Sequence, residues 1–288
     1  MTRLGVFLLW LLHFLPFRAL VWIGNALGLL LYALAARRRR IATINLALCF
    51  PDMSDAERTR LVRDHFKLFA RGIVERSILW WSSAARIGSL IRVEGAEHFD
   101  AVKRKPAILL TAHFVGMDAG GQWITQHTDA VCMYANQKSR YVTELLLEKR
   151  ARFGNQRLYS RQQGLRAIVK AMRKGYPFTY ASDQDQGVKE GAFIPFFGVP
   201  AATITSVPRI AQMTGASVVP WITRVLPGAA GYVLTFYPPW ENYPSGDDIA
   251  DARRVNEFIE QRVLEMPEQY FWVHRRFKTR PEGEAKLY

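Results

Sequence analysis

Residues 4–36 are almost continuously apolar, broken only by His13, Pro16, Arg18 and Asn25, and four arginines, Arg37–Arg40, follow at once. As one helix this stretch would run roughly 50 Å, well beyond the ~30 Å hydrocarbon core of a bilayer. A break is therefore expected near Pro16–Arg18, with Ala19–Ala36 spanning and Leu4–Phe17 tilted or lying in the interface. The arginines hold that end of the span on the cytoplasmic side, and anionic lipid attracts them. Ala33-Leu-Ala-Ala36 suggests a cleavable leader as the alternative. The apolar run is too long for one, and the arginines would oppose translocation. An uncleaved membrane anchor over 1–36 is expected, followed by a second domain over 37–288.

In that second domain, Ala107-Ile-Leu-Leu-Thr111 follows Lys105-Pro106 and reads as a short buried strand. The run ends at His113, and Asp118 comes five residues later among Gly116, Gly120 and Gly121. Within one helix a spacing of five would place the two side chains about 140° apart. They meet only if a loop at Phe114–Gly116 precedes a helix starting near Met117. A carboxylate that accepts from one imidazole nitrogen fixes the tautomer and leaves the other nitrogen as a base. That pair could remove a proton from an alcohol. So short a motif also arises by chance, but sites gather at the carboxyl ends of strands.

The other elements follow from pattern. Ser54-Asp-Ala-Glu57 fits a capping box opening a helix to about Trp81. Strands are expected at 90–93, 107–112, 130–134, 178–181, 217–223 and 232–237. Helices are expected at 141–153, 163–174, 203–214 and 248–265. This alternation is α/β. The segment Ala192–Pro200 reads either as a packed, proline-stiffened loop or as the wall of an acyl pocket. Ser182-Asp-Gln-Asp-Gln-Gly187 faintly suggests a calcium loop, but the third ligand is missing and position twelve would be Ile194. Cys49 and Cys132 are too few for a disulfide framework or a zinc site and read as small buried hydrophobes. No metal and no cofactor are expected.

A net charge of +14 implies an anionic partner. The excess is concentrated between Lys138 and Lys174, where Lys138, Arg140, Lys149, Arg150, Arg152, Arg157, Arg161, Arg166, Lys170, Arg173 and Lys174 face only Glu144 and Glu148. Arginine suits phosphate through its bidentate fork. A membrane-tethered nucleic-acid-binding protein would share the charge, but no binding motif is present and no aromatics interleave with the run, so no nucleic-acid partner is expected.

With the motif, the anchor and the basic helices together, the chain resembles the late acyltransferases of lipid A biosynthesis, the lauroyl/myristoyl transferases of Gram-negative bacteria. Pro267-Glu-Gln-Tyr-Phe-Trp-Val-His-Arg-Arg-Phe-Lys-Thr-Arg-Pro281 looks like that family's carboxyl-terminal signature, and Tyr180–Gly187 and Phe193–Thr205 are similar to further family blocks. The resemblance implies an α/β fold, a mixed central sheet flanked by helices as in glycerolipid acyltransferases, with an N-terminal membrane-anchor helix. It implies that His113 is the general base and Asp118 its partner, with substrate-binding roles for Arg150 and Asp183. It also implies an acyl carrier protein thioester as donor, an anionic lipid A precursor as acceptor, and a place at the inner membrane with the catalytic domain on the cytoplasmic side. Asp118 stands where these enzymes often carry glutamate, which leaves open a glycerophospholipid, ornithine-lipid or mannoside acceptor.

Overall fold

The computed structural model describes residues 3–137 and 139–288, so Lys138, the first residue of the basic run, lies outside the described residues. Helices α1 (Arg3–Leu12) and α2 (Phe17–Leu34) part where the break was expected, with Pro16 at the N-cap position of α2. Proline suits a helix start because its missing N–H would be unpaired there anyway. Among the described residues, α2 is the one helix long and apolar enough to cross a membrane, with mean hydropathy 1.6.

Helix α2 does not stand apart from the rest of the chain. After α3 (Ala36–Cys49), α4 (Asp55–Trp81) runs back along it. A Cβ on Gly24 would fall 2.7 Å from Arg71 Cα, and one on Gly28 would fall 2.4 Å from Lys67 Cα. The two glycines, one turn apart, let the backbones of α2 and α4 approach as no larger residue could. The reversed order of the contacts makes the pair antiparallel. The arginines after α2 open α3, and Arg39 donates to the carbonyls of Tyr32 and Ala33, capping the end of α2. Helix α4 starts at the expected capping box, Ser54 Oγ accepting from Glu57 N at 3.3 Å and Glu57 Oε2 from Ser54 N at 3.0 Å.

The remaining elements are α5 (Ala84–Gly88), β1 (Ile91–Glu94), α6 (Ala96–Asp100), β2 (Ala107–Thr111), α7 (Met117–His127), β3 (Val131–Tyr134), α8 (Arg140–Arg150), β4 (Arg157–Ser160), α9 (Arg166–Met172), β5 (Phe178–Ala181), β6 (Gly191–Phe196), β7 (Val199–Ile204), α10 (Ser206–Thr214), β8 (Ser217–Val225), β9 (Tyr232–Phe236) and α11 (Asp248–Glu265). Seven strands form one mixed sheet in the order β1-β9-β8-β2-β5-β3-β4. Strands β8, β2, β5, β3 and β4 are parallel, while β9 pairs antiparallel with β8 and carries β1 with it. Every residue of β2 is buried, Ile108 and Leu110 toward one core and Ala107 and Leu109 toward the other. Burial on both faces explains why β2 reads as a continuous apolar run rather than an alternating one.

Three expectations need correction. The segment Ala192–Pro200 is not a loop. It belongs to a separate hairpin of β6 and β7, turning at Phe197 (φ 50°) and Gly198 (φ 74°), with Ile194 and Phe196 fully buried in the core. The helix expected from Thr203 begins at Ser206, because Val199–Ile204 is strand. Both basic helices are shorter than expected, and β4, unforeseen, forms the outer edge of the sheet between them. Both cysteines are free, with Cys49 buried and Cys132 half-buried.

Candidate active site

Strand register brings two of the candidate residues together. Strands β2 and β5 are parallel neighbours with Thr111 paired to Ala181. His113 and Asp183 each lie two residues beyond that pair, so both emerge at the same level of the carboxyl edge. His113 Nδ1 lies 2.6 Å from Asp183 Oδ1, and the His113 backbone N–H donates to Asp183 Oδ2 at 3.0 Å. With the carboxylate ionised, Nδ1 carries the proton and Nε2 is left as the basic nitrogen. The Asp183 side chain is 2% exposed and that of His113 26%, so the base opens outward while its partner is sealed.

The charges of the pair support one another. Burial favours the neutral forms of both, but each is outweighed by its partner. Asp183 is held down to about 2 against its burial by the charge and hydrogen bonds of His113. The imidazole of His113 is raised above its ordinary range, because the nearby carboxylates of Asp183 and Asp118 outweigh burial and the opposing charge of Arg150.

Asp118 begins α7 as the sequence suggested, but the hydrogen bond expected between it and His113 is not the one formed. Asp118 Oδ2 accepts from Arg76 Nε of α4 at 2.6 Å, and the imidazole takes Asp183 instead. Asp118 acts on His113 by charge, and its own carboxyl is lowered against burial by Arg76 and Arg150. The physical reason is topological. The loop Phe114–Gly116 turns α7 toward α4, whereas β5 delivers Asp183 directly alongside His113. Close packing fixes this turn: a Cβ on Gly116 would lie 2.5 Å from the Thr223 carbonyl oxygen, and one on Gly120 2.1 Å from Thr223 Oγ1.

The carboxyl-terminal block Pro267–Pro281 forms a strap across this loop. Phe114 and Tyr270 make an antiparallel bridge, the Val115 N–H donates to Gln269 O at 2.9 Å, and the Phe271 N–H donates to His113 O at 3.0 Å. The Phe271 ring centroid lies 6.2 Å from that of His113. Gln269 is anchored in turn, accepting from the Val225 N–H at 2.8 Å and donating to the Val225 carbonyl at 3.0 Å. Arg276, 2% exposed, donates to the Ala202 carbonyl and to Thr203 Oγ1. Asp185 accepts from Thr279 N and Oγ1 and from the Gly187 N–H, so its carboxylate in the Ser182–Gly187 motif is engaged in internal hydrogen bonds. Among the described residues no group of His, Cys, Asp and Glu could hold a metal ion.

A family model described as bacterial lipid A biosynthesis acyltransferase matches residues 1–279. The chain belongs to that family. It is similar to the lipid A biosynthesis lauroyltransferase of Escherichia coli K12, 35% identical over 291 residues covering 100% of this chain and 94% of that protein. The palmitoleoyltransferase of the same organism is 31% identical with the same coverage, and the myristoyltransferase 30% identical over 87% of this chain and 78% of that protein. A crystal structure of the 1-acyl-sn-glycerophosphate acyltransferase of Thermotoga maritima aligns at TM-score 0.41 and 16% identity, over 84% of this chain and 97% of that one. As a member of the lipid A biosynthesis acyltransferases the chain is an enzyme of acyl transfer.

Two features of this acyltransferase site were not foreseen. Arg76 lies in the last third of α4 with no local pattern to single it out. The strap residues stand out in the sequence only as part of the carboxyl-terminal signature. Arg150 closes α8 near Asp118 and His113, close enough for its charge to act on both.

Proposed function

We propose that this acyltransferase moves a fatty acyl chain from an acyl carrier protein thioester to a hydroxyl of a lipid A precursor of the Kdo-lipid IVA type at the inner membrane. The single observation that carries the mechanism is His113 Nδ1 held at 2.6 Å by the buried Asp183, with the His113 side chain 26% exposed.

In this reading His113 Nε2 takes the proton of the acceptor hydroxyl as its oxygen bonds to the thioester carbonyl carbon. The tetrahedral intermediate collapses by breaking the carbon–sulfur bond, and the imidazolium returns its proton to the departing thiolate. The thioester is already activated, so positioning and general-base help suffice without a covalent enzyme intermediate. Asp183 fixes the tautomer and stabilises the imidazolium, while Asp118 adds a second negative charge. The oxyanion calls for N–H donors. The amides of Phe114, Val115 and Met117 are engaged with Ala112, Gln269 and Phe114 carbonyls, which leaves Gly116 as the loop amide without a partner among the described residues. Arg150 would hold a glucosamine phosphate or a Kdo carboxylate of the acceptor.

Residues 1–36 serve as the membrane anchor in this proposal and 37–288 as the acyltransferase domain on the cytoplasmic side. The outward faces of α1 and α2 support it: Leu4, Phe7, Leu8, Trp22 and Leu34, with Phe14 in the turn between the helices, are all more than half exposed, Trp22 at 73%. An apolar surface of that kind suits contact with lipid. Mass spectrometry of lipid A from cells with and without the gene tests the acceptor. Loss of one secondary acyl chain is the expected result. An unchanged lipid A with an altered glycerophospholipid, ornithine lipid or mannoside would overturn it.

A further inference from the structure

Asp118 uses only one of the five N–H groups of Arg76. The arginine lies half-buried on α4, with Nε bonded to Asp118 and Cζ 5.9 Å from the Trp80 ring centroid. Among the described residues neither of its Nη atoms has a hydrogen-bond partner.

Packing brings a second arginine alongside. The end of α8 is tied to the end of α4, where Arg152 donates to Leu79 O at 2.9 Å and to Ser82 O at 2.5 Å, and Lys149 Nζ stands 5.1 Å from the Trp81 ring centroid. Gln122 of α7 donates to the Lys149 carbonyl at 3.0 Å and closes the triangle. Arg150 is thereby held at the junction of α4, α7 and α8; its charge acts on Asp118, and its side chain has no hydrogen-bond partner among the described residues. Lys149 and Arg152 are already engaged. Two guanidinium groups with unused donors thus share the one carboxylate of Asp118.

We infer that Arg76 is an anion-binding residue of this site, gripping a phosphate group of a substrate together with Arg150, and that Asp118 orients Arg76 for the task. The inference rests on the acyl-transfer reading above. Guanidinium forks match phosphate oxygens in pairs. In the empty site Asp118 offsets the repulsion between the arginines, and in the filled site the phosphate does so. Two sources carry this chemistry: the phosphorylated sugar headgroup of the acceptor, and the phosphodiester of the thioester arm on the donor.

The test uses the full chain in detergent micelles, as wild type, Arg76→Lys and Arg76→Gln, each with its melting temperature. KM is measured for the acyl carrier thioester, for the phosphorylated acceptor and for the same acceptor after phosphatase treatment. Arg76→Lys keeps the charge but loses the fork, and should raise KM for one substrate about tenfold or more while kcat changes less than about threefold. If the acceptor supplies the phosphate, the wild-type preference for the phosphorylated form collapses in the variants. If the donor supplies it, the thioester KM rises and that preference survives. Either result supports the inference. Unchanged KM for both substrates overturns it, whether kcat falls, which would leave Arg76 only steadying Asp118, or nothing changes. A second measurement needs no variant: a soluble sugar phosphate should inhibit the wild type more strongly than the parent sugar, and equal inhibition by the two overturns the inference. Absence of any transfer by the wild type would instead overturn the underlying reading of function.

Discussion

Asp183 meets His113 through both carboxylate oxygens, one on the imidazole Nδ1 and one on the backbone N–H. The second contact ties the carboxylate to the main chain of the residue it serves, so ring and partner cannot drift apart independently. Replacing Asp183 with Asn keeps the shape and removes the charge that raises the imidazole. Burial then dominates and His113 titrates lower. Since a general base works only when deprotonated, the acid limb of the kcat/KM profile should move to lower pH. The rate at the plateau should fall by about 10²–10⁴. A limb in its wild-type position would show that the titrating base is another group.

His113→Ala removes the base itself. We expect transfer to fall by about 10²–10⁴ in a protein that still folds, with a lowered melting temperature because the buried Asp183 loses its imidazole partner. Asp118→Ala should also abolish most transfer while leaving a folded protein. Near-wild-type turnover in His113→Ala would reject the mechanism.

Arg150→Lys discriminates a gripping arginine from a merely charged surface. A bidentate contact to an anionic group is worth about 1.5–3 kcal/mol, so transfer to a phosphorylated acceptor should drop roughly ten- to a hundredfold. Arg173→Lys is the control. Arg173 is exposed and donates to the Met213 carbonyl, so its replacement should change little. Equal activity in the two variants would return Arg150 to ordinary surface.

Gly28→Leu should loosen the amino-terminal helices from the body. The new side chain would start 2.4 Å from Lys67 Cα, a backbone contact that no rotamer relieves. Overpacking of this kind costs typically ~1–3 kcal/mol. A lowered melting temperature in detergent is the expected result, and an unchanged one would mean that α2 and α4 are not packed this closely.

Protease protection tests the membrane arrangement. A tag after Tyr288 should survive protease in intact spheroplasts and be removed once the membrane is opened. Amino-terminal sequencing should find residues 1–36 still attached; a mature terminus at Arg37 would rule out the anchor.

Local signals read well in the sequence. The Pro16 break, the Ser54–Glu57 capping box, the buried run Ala107–Thr111 and the helix start at Met117 each follow from a few neighbouring residues, and each is found. The pairing inside the site was not legible, because it depends on which strands lie side by side. Nothing between Thr111 and Ala181 states that β2 and β5 are neighbours, and without that fact Asp118, near in sequence, looks the better partner for His113. Arg76 was hidden for the same reason: it reaches Asp118 from 42 residues earlier, across a helix–helix contact. The hairpin of β6 and β7 was missed because its prolines, Pro195 and Pro200, read as strand breakers, and they are tolerated in an isolated two-stranded ribbon.

The glycine contacts between α2 and α4 set a geometric limit on how the enzyme meets its substrates. Helix α4 also carries Gly72, where an added Cβ would sit 3.1 Å from Val115 in the catalytic loop, and Arg76, which holds Asp118. On the proposed membrane reading, the lipid-facing helix, the ion pair and the His113 loop are joined through one element. However deeply α2 settles into a bilayer, His113 keeps a constant height relative to it. Such a linkage acts as a depth gauge, so that the hydroxyls within reach are those displayed at one level of the lipid layer.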